Sequence, residues 1–463
     1  MSTTPDAPAS PRQRRTPPRP PEHWLAGSMR EFQRDQLAFV TRMPREFGDV
    51  VRTRFLYAPC YFVSHPDIIE QVLQTKNREF VKPISFRTPF FRRLIGTGLL
   101  TSEGDFWRRQ RRLAQPAFHR DRVNAYGETM VAYADRLTDE WRDGEARDLH
   151  AEMMRLTMEI VARTLFSADV SGADAEEVKR ALKEIAEPFT HQATFKWILD
   201  NRLPTPAHRR FMRTAEKLDG IIFRIIRARR ESGEDAGDLL SMLLQARDEE
   251  GDRTGMTDKQ LRDELMTLFL AGQETTALAL TWGWRLLTQH PGAEARLHEE
   301  IDEVLEGGRA PRTEDLARLR YAESVIKESM RLYPPAWGVG REAVRDVEIG
   351  GYLIPKRAQV FMMSYAVQRD PRFWREPEAF RPERWQNGET KDLPKFAYFP
   401  FGGGPRLCIG NQFAMMEAIL CLATIARRFR FTPAPGSRAA PVPGMSLRPR
   451  DGLQVIVRSR GDQ

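Results

Sequence analysis

The segment TDKQLRDELMTLFLAGQETTALALTWGWRLLTQHP, Thr257 to Pro291, constrains the fold more than any other part of the chain. Thr257 and Gln260 stand in capping-box spacing and Pro291 stops the pattern, so the stretch predicts a helix of about 32 residues, ~48 Å long at 1.5 Å per residue. A rod of that length crosses a whole domain. Apolar residues on nearly every side predict burial, so the polar run Gln273, Glu274, Thr275 and Thr276 at its middle is costly unless it is paired or used. A satisfied network inside the core is the plain alternative to a functional site.

The rest of the pattern is also mainly helical. From Ala125 to about Arg230 apolar residues recur at three and four, which predicts helix throughout, with breaks at Gly127, Gly172 and Pro204. Two shorter helical stretches follow Pro291. Strand-like segments lie at Val344 to Ile354 and Gln359 to Met363, with further candidates at Val50 to Phe62 and Gly452 to Val457. The expected class is mainly α with small β-sheets. Length alone, 463 residues, would suggest about three domains of ~150 residues.

Composition removes several function classes. Three cysteines, Cys60, Cys408 and Cys421, without CxxC spacing argue against a disulfide framework and a zinc site, and fit a reducing, cytoplasmic setting. The start, MSTTPDAPASPRQRRTPPRPPEHW, has a twin Arg followed by TPPRPP in place of an apolar run, so residues 1–22 read as a disordered basic head and not as an export signal. The best uncharged apolar run, TTALALTWGW, is half the roughly 20 residues of a membrane span, so no transmembrane anchor is expected. Net charge is +8, but the 72 basic residues are interspersed with 64 acidic ones and no recognition motif accompanies them. An acidic protein partner is therefore expected in preference to nucleic acid.

The second constraining stretch is FGGGPRLCIG, Phe401 to Gly410, directly ahead of an apolar helix. Backbone N–H groups and a helix N-terminus lower a thiol's pKa, so the turn predicts a charged Cys408. Three readings compete. A phosphate loop lacks its Lys-Ser/Thr pair, and a nucleophilic cysteine lacks a matching histidine motif, although sequence leaves spatial proximity open. A haem thiolate needs one cysteine, room for a flat macrocycle, and cations for its propionates.

The third reading carries a resemblance. Phe401, Gly404, Arg406, Cys408 and Gly410 match the haem-binding loop of the cytochrome P450 haem-thiolate monooxygenases, and four more stretches follow the family's order from about His23 to the end. FWRRQRR places Trp107 and Arg111 four apart on one helix face, as in the family's propionate-binding Trp-x-x-x-Arg, while Arg108, Arg109 and Arg112 read as an exposed basic face with electron-donor docking as a further use. AGQETT, with Ala271 and Gly272, resembles the oxygen groove; Gly272 lets the helix approach the haem, and a Thr hydroxyl bonding to the Ala271 carbonyl can open a kink. KESMRLYPP gives Glu328 and Arg331, joined by Arg384 of FRPERW as a structural triad. PPAWGVGR adds Arg341 as a further propionate partner.

The resemblance implies a P450 fold with haem b between the long helix and the cysteine-loop helix, in a single catalytic domain over 23–463. It implies Cys408 as axial iron ligand and hydroxylation with O2. Glu274 would be the acid and Thr275 the alcohol that deliver protons; many members carry Asp at the position of Glu274, and Thr276 reads as structural. Electrons would come from NAD(P)H through a separate ferredoxin or flavodoxin and its reductase. A peroxide-driven enzyme and a haem protein without turnover are the alternatives, both disfavoured by an intact AGQETT. The substrate would be a hydrophobic small molecule, a fatty acid, terpenoid or steroid, in a pocket drawn from Phe86, Phe90, Phe91, Phe189, Phe195, Trp197, Phe269, Ala336 and Val339. Arg87, Arg92 or Arg93 would anchor a carboxylate if the substrate has one.

Overall fold

A computed structural model describes residues 15–166 and 206–461. The long helix runs from Asp258 to Gln289, and the capping box is present: Gln260 N–H donates to Thr257 Oγ at 3.3 Å, and Thr257 N–H to Gln260 Oε1 at 2.9 Å. Around it pack the helices Leu149–Phe166, Pro206–Ser232, Arg320–Leu332 and Asn411–Arg428. The N-terminal part of the long helix, Leu261 to Phe269, is buried with Leu94, Leu113, Leu165 and Ile222. The C-terminal part, from Thr276 to Leu287, is buried almost throughout, with Leu156, Val325 and Leu420 beside it. Only the turn between them, Leu270 to Thr275, escapes burial. Of the polar residues that looked costly, Gln273, Glu274 and Thr275 lie at that opening, while Thr276 is buried.

The sheets are small, as the pattern predicts. Five strands, in the order Val50–Phe55, Ala58–Val63, Gln359–Met362, Val339–Ala343 and Phe80–Val81, form the largest; all its pairs are antiparallel except the second with the third. A three-stranded sheet joins Ala146–Asp148, Gln454–Ser459 and Phe429–Pro433, and the hairpins Val347–Ile349/Tyr352–Ile354 and Pro441–Pro443/Leu447–Pro449 stand apart. Two expectations are corrected here. The region from Ala125 to Arg230 is not helix throughout, because Ala146–Asp148 is taken as an edge strand by the C-terminal Gln454–Ser459. Gly127 does not break a helix but begins one, Gly127–Asp139. Gly172 and Pro204 lie outside the described residues. The chain is held already ahead of the expected boundary at residue 22, where Arg52 N–H donates to the Pro18 carbonyl at 2.9 Å and Glu22 accepts from Arg54 N–H at 2.7 Å.

Two buried carboxyls show how differently this core treats charge. Glu328 is fully buried, yet Arg331 meets it with two N–H···O bonds of 2.9 Å, and Arg384 Nε, Trp385 Nε1 and Arg381 N–H each donate at 3.0 Å. Arg331 spends its remaining donors on the carbonyls of Gln368, Pro377 and Ala379, so the triad is fully satisfied and ties three chain segments together. Removing one member would leave a buried charge unpaired, at a cost of about 3–5 kcal/mol. Glu417, on the helix after the cysteine loop, is equally buried but neither of its oxygens has a hydrogen-bond partner among the described residues. Burial pushes its carboxyl up to about 8, with the Thr276 hydroxyl opposing.

A carboxyl held above its usual 4.5 binds its proton more tightly when folded, so its contribution is fully present below pH 4.5 and is lost as the pH climbs through about 8. Glu417→Gln removes that loss. Thermal unfolding of the holoenzyme should show a Tm advantage of the variant over wild type that widens from pH 5 to pH 8.5; a constant difference would place the ionisation elsewhere.

Candidate active site

The loop FGGGPRLCIG closes on itself through Cys408 N–H to Phe401 O at 3.0 Å and Leu407 N–H to Gly404 O at 3.0 Å. Gly404 has φ +65°, and a Cβ there would stand 1.8 Å from the Leu73 carbonyl oxygen, so this position requires glycine both for its backbone and for its neighbour. Arg111 Nη1 donates to the Leu407 carbonyl at 2.9 Å, which brings the guanidinium to the residue just before the cysteine. Cys408 lines a cavity of about 430 Å³, whose opposite wall is the open turn of the long helix, with Ala271, Gly272 and Thr275. Cys60 and Cys421 are buried in the core and line no part of it.

Burial pushes the Cys408 thiol up, against the Gly410 N–H and the Arg111 charge, which favour the thiolate. A metal cation bound at the sulfur would favour the thiolate further.

Thr275 Oγ donates to the Ala271 carbonyl at 2.8 Å, as the pattern suggests, while the helix remains continuous across that turn. A second hydroxyl, Thr157 Oγ, reaches the Gln273 carbonyl at 2.9 Å from the adjacent helix. A Cβ at Gly272 would meet Val161 at 3.4 Å as its nearest protein neighbour, and Gly272 itself lines the cavity. Glu274 turns away from the cavity to an ion pair with Arg448 and a hydrogen bond from Ser446, both on the Pro441–Pro443/Leu447–Pro449 hairpin. That hairpin is anchored to the same helix by Trp282 Nε1, which donates to the Leu447 carbonyl at 2.9 Å.

One end of the cavity is basic. Arg341, on strand Val339–Ala343, is 8% exposed and donates to the Gly340 carbonyl as its one protein acceptor among the described residues; burial lowers it to about 10. Arg406 pairs with Glu103 and lies over the Trp107 ring, 5.2 Å from its centroid. Lys82, which sequence reasoning missed, lies over the same ring at 5.7 Å and also faces the cavity. Its only sequence signal is a lysine inside the apolar stretch FVKPI, and that pattern equally describes a surface lysine.

The remaining predicted residues divide clearly. Phe86, Ala336, Val339, Phe401 and Gly410 line the cavity, whereas Trp107 lies behind the basic end. Phe269 is a correction: it is 4% exposed in the core before the open turn and does not line the cavity. Phe91 is likewise a core residue, 7% exposed. Phe189, Phe195 and Trp197 lie outside the described residues, as does the side chain of Phe90. Arg87 pairs with Glu342 at 2.6 Å and Arg93 with Asp219 at 2.8 Å, and neither lines the cavity. Arg109 and Arg112 close on the buried Asp248.

A single accessible thiol facing the open turn of a buried helix across a largely apolar cavity defines a helical protein with room for a bound group against one cysteine. Comparison names the class. A family model for cytochrome P450 matches residues 17–457, and the chain belongs to that family. It is 41% identical over 432 residues to cyclooctatin synthase of Streptomyces melanosporofaciens, covering 91% of each chain. It is 36% identical over 418 residues to pentalenene oxygenase of Streptomyces avermitilis, covering 90% of this chain and 92% of that one. Among solved structures, the crystal structure of the cytochrome P450DA heme domain matches with TM-score 0.87 at 27% identity, covering 97% of this chain and 99% of that chain. The chain is thus a cytochrome P450 monooxygenase, using haem with a cysteine thiolate and O2. The residues present fit that group: one reachable thiol, a largely apolar cavity, and a buried Arg341 whose guanidinium has no carboxylate partner among the described residues. No helix of the described residues is long and apolar enough to cross a membrane.

The Gly404 contact gives a direct test of the loop. Gly404→Ala should lower stability by about 1–3 kcal/mol through the positive φ alone, and reduce haem content on purification; a variant with full haem content and unchanged Tm would show that the loop can move off Leu73.

Proposed function

We propose that this enzyme hydroxylates a neutral terpenoid, with Cys408 supplying the thiolate ligand of the haem iron. The observation that carries the substrate class is the distribution of charge in the cavity. Its cations, Lys82, Arg341 and Arg406, lie at one end with Glu103 beside them, and the rest of the described wall carries no Asp, Glu, Lys or Arg and is largely apolar, including Phe86, Leu100, Val161, Leu268 and Val339. Of the arginines that would have suited a fatty acid, Arg87 is committed to Glu342 and Arg93 to Asp219, and Arg92 is exposed and does not line the described cavity. A carboxylate buried in such a wall would be unpaired, while a hydrocarbon or alcohol would not. Relatives that oxidise terpenoids favour that class over an equally neutral steroid.

When bound, haem supplies dioxygen activation and the insertion of one oxygen atom into a C–H bond. The chain's part is positioning and proton supply. Thr275, its own proton given to the Ala271 carbonyl, presents hydroxyl lone pairs at the cavity wall. Glu274 serves it as the acid after exchanging its Arg448 partner, which links proton delivery to the C-terminal hairpin. Electrons come from NAD(P)H through a separate ferredoxin or flavodoxin and its reductase, and the +8 balance favours an acidic carrier. The enzyme works in the cytoplasm, with residues 23–463 as one catalytic domain.

Titration of the purified holoenzyme with neutral cyclic terpenes, steroids and fatty acids of matched size, read by the haem spin-state change, tests the assignment. Terpenes should bind most tightly, with fatty acids weaker by about tenfold or more. Tightest binding by a fatty acid would overturn the substrate class.

A further inference from the structure

A groove of about 520 Å³ lies outside the active site, between helix Gln36–Phe47, the segment from Tyr365 to Glu378, and strand Pro441–Pro443. It shares no lining residue with the cavity at Cys408. Four arginines line it, Arg34, Arg45, Arg369 and Arg450, against two carboxylates, Asp35 and Glu378. Both carboxylates are already engaged: Asp35 accepts from Ala38 N–H at 2.9 Å as the N-cap of helix Gln36–Phe47, and Glu378 accepts from Arg369 Nε at 3.1 Å. Arg34, Arg45 and Arg450 are exposed and form no ion pair among the described residues.

A solvated basic face would account for three exposed arginines. It does not account for the fourth. Arg369 is 3% exposed, with its guanidinium 3.9 Å from the centre of the Tyr365 ring. Its Nε goes to Glu378 and its Nη1 to the Tyr365 carbonyl at 3.4 Å, while Nη2 donates to nothing among the described residues. A buried guanidinium with an unspent donor, facing a groove with an excess of two positive charges, is completed by an anion. The first turn of helix Gln36–Phe47 adds to the attraction, because Gln36 and Leu37 line the same groove and the positive end of a helix favours negative charge. Several guanidiniums around one space match the oxygens of phosphate groups, each arginine offering a planar fork of donors. A flat lipid surface does not reach a residue as deep as Arg369, so the fitting ligand is small and free in solution.

One wall of the groove leads to the active site. Val442, which lines it, is the cross-strand partner of Arg448 on the Pro441–Pro443/Leu447–Pro449 hairpin, and Arg448 is the residue that holds Glu274. We propose that the groove binds a small polyanion of the phosphate class, such as diphosphate, and that an occupant steadies the hairpin on which Arg448 holds Glu274. A ligand that favours the paired hairpin is in turn bound more tightly by it, so the groove and Glu274 are linked sites. The bearing of this link on turnover rests on Glu274 as the acid of the reaction proposed above, whereas the binding and the steadying do not.

The test therefore uses two measurements that need no turnover. Sodium diphosphate is titrated calorimetrically, at low ionic strength, into three holoenzymes: wild type, Arg45→Gln/Arg450→Gln, and Arg120→Gln/Arg122→Gln, an exposed pair outside the groove that lowers the net charge equally. The groove pair should weaken binding by about tenfold or more and the control pair by less than about twofold. Equal weakening by both pairs, or no binding by wild type, would overturn the site and leave a general attraction of the basic chain for anions. Hydrogen exchange of residues 441–449 is then followed with and without saturating diphosphate. Wild type should show slower exchange with the ligand, and the groove variant no change. Unchanged exchange in saturated wild type would overturn the link to the hairpin. Should the double variant lose its fold, Arg34→Gln, one exposed charge away from the hairpin, decides by the same comparison, with a loss of about threefold or more expected against Arg120→Gln.

Discussion

A helix buried along both of its halves can leave only its middle open, and the organisation of this enzyme follows from that constraint. Leu261 to Phe269 and Thr276 to Leu287 are taken up by two separate hydrophobic clusters. The turn between them therefore faces the space that the clusters leave, and the Phe401 to Gly410 loop closes that space from the other side. The loop can lie there only because Gly404 lets the chain pass against the Leu73 carbonyl. Thiol, hydroxyl and basic end are brought to one cavity by packing that is apolar almost everywhere else.

The polar groups divide into those that are settled within the protein and those that are not. The Glu328 triad is settled, with each oxygen and guanidinium partnered, and it serves as a fixed joint between helix Arg320–Leu332 and the segment that leads to the cysteine loop. Glu417, Arg341 and the Lys82 cluster are not, and in each burial works against the charged form. The unsettled basic groups lie at the cavity, where a cofactor can complete them. Glu274 is intermediate, paired, but with a partner on a short hairpin and not on the rigid core.

Local signals in the sequence carried most of this. The capping box and Pro291 bound the long helix because both act within a few residues, and the glycine loop announced Cys408 through spacing alone. Arg341, Arg406 and Thr275 reach the same cavity as the resemblance implied. What escaped was set by distance along the chain. The partners of Glu274 lie 172 and 174 residues away, and the strands Phe80–Val81 and Val339–Ala343 are defined by pairing across more than half the chain. Phe269 was misassigned because a helix that is apolar all round does not reveal which side faces a cavity. Lys82 was overlooked because a lysine beside apolar residues reads as a snorkelling surface group until its carbonyl partners are seen.

The central claim is that Cys408 alone holds the iron, since Cys60 and Cys421 are sealed in the core. The most direct measurement is the difference spectrum of the dithionite-reduced, carbon monoxide-bound protein for wild type and Cys408→Ser. The account predicts a far red-shifted Soret band in wild type and its loss in the variant. A variant that kept the shifted band would move the ligand to another cysteine and contradict the cavity described here.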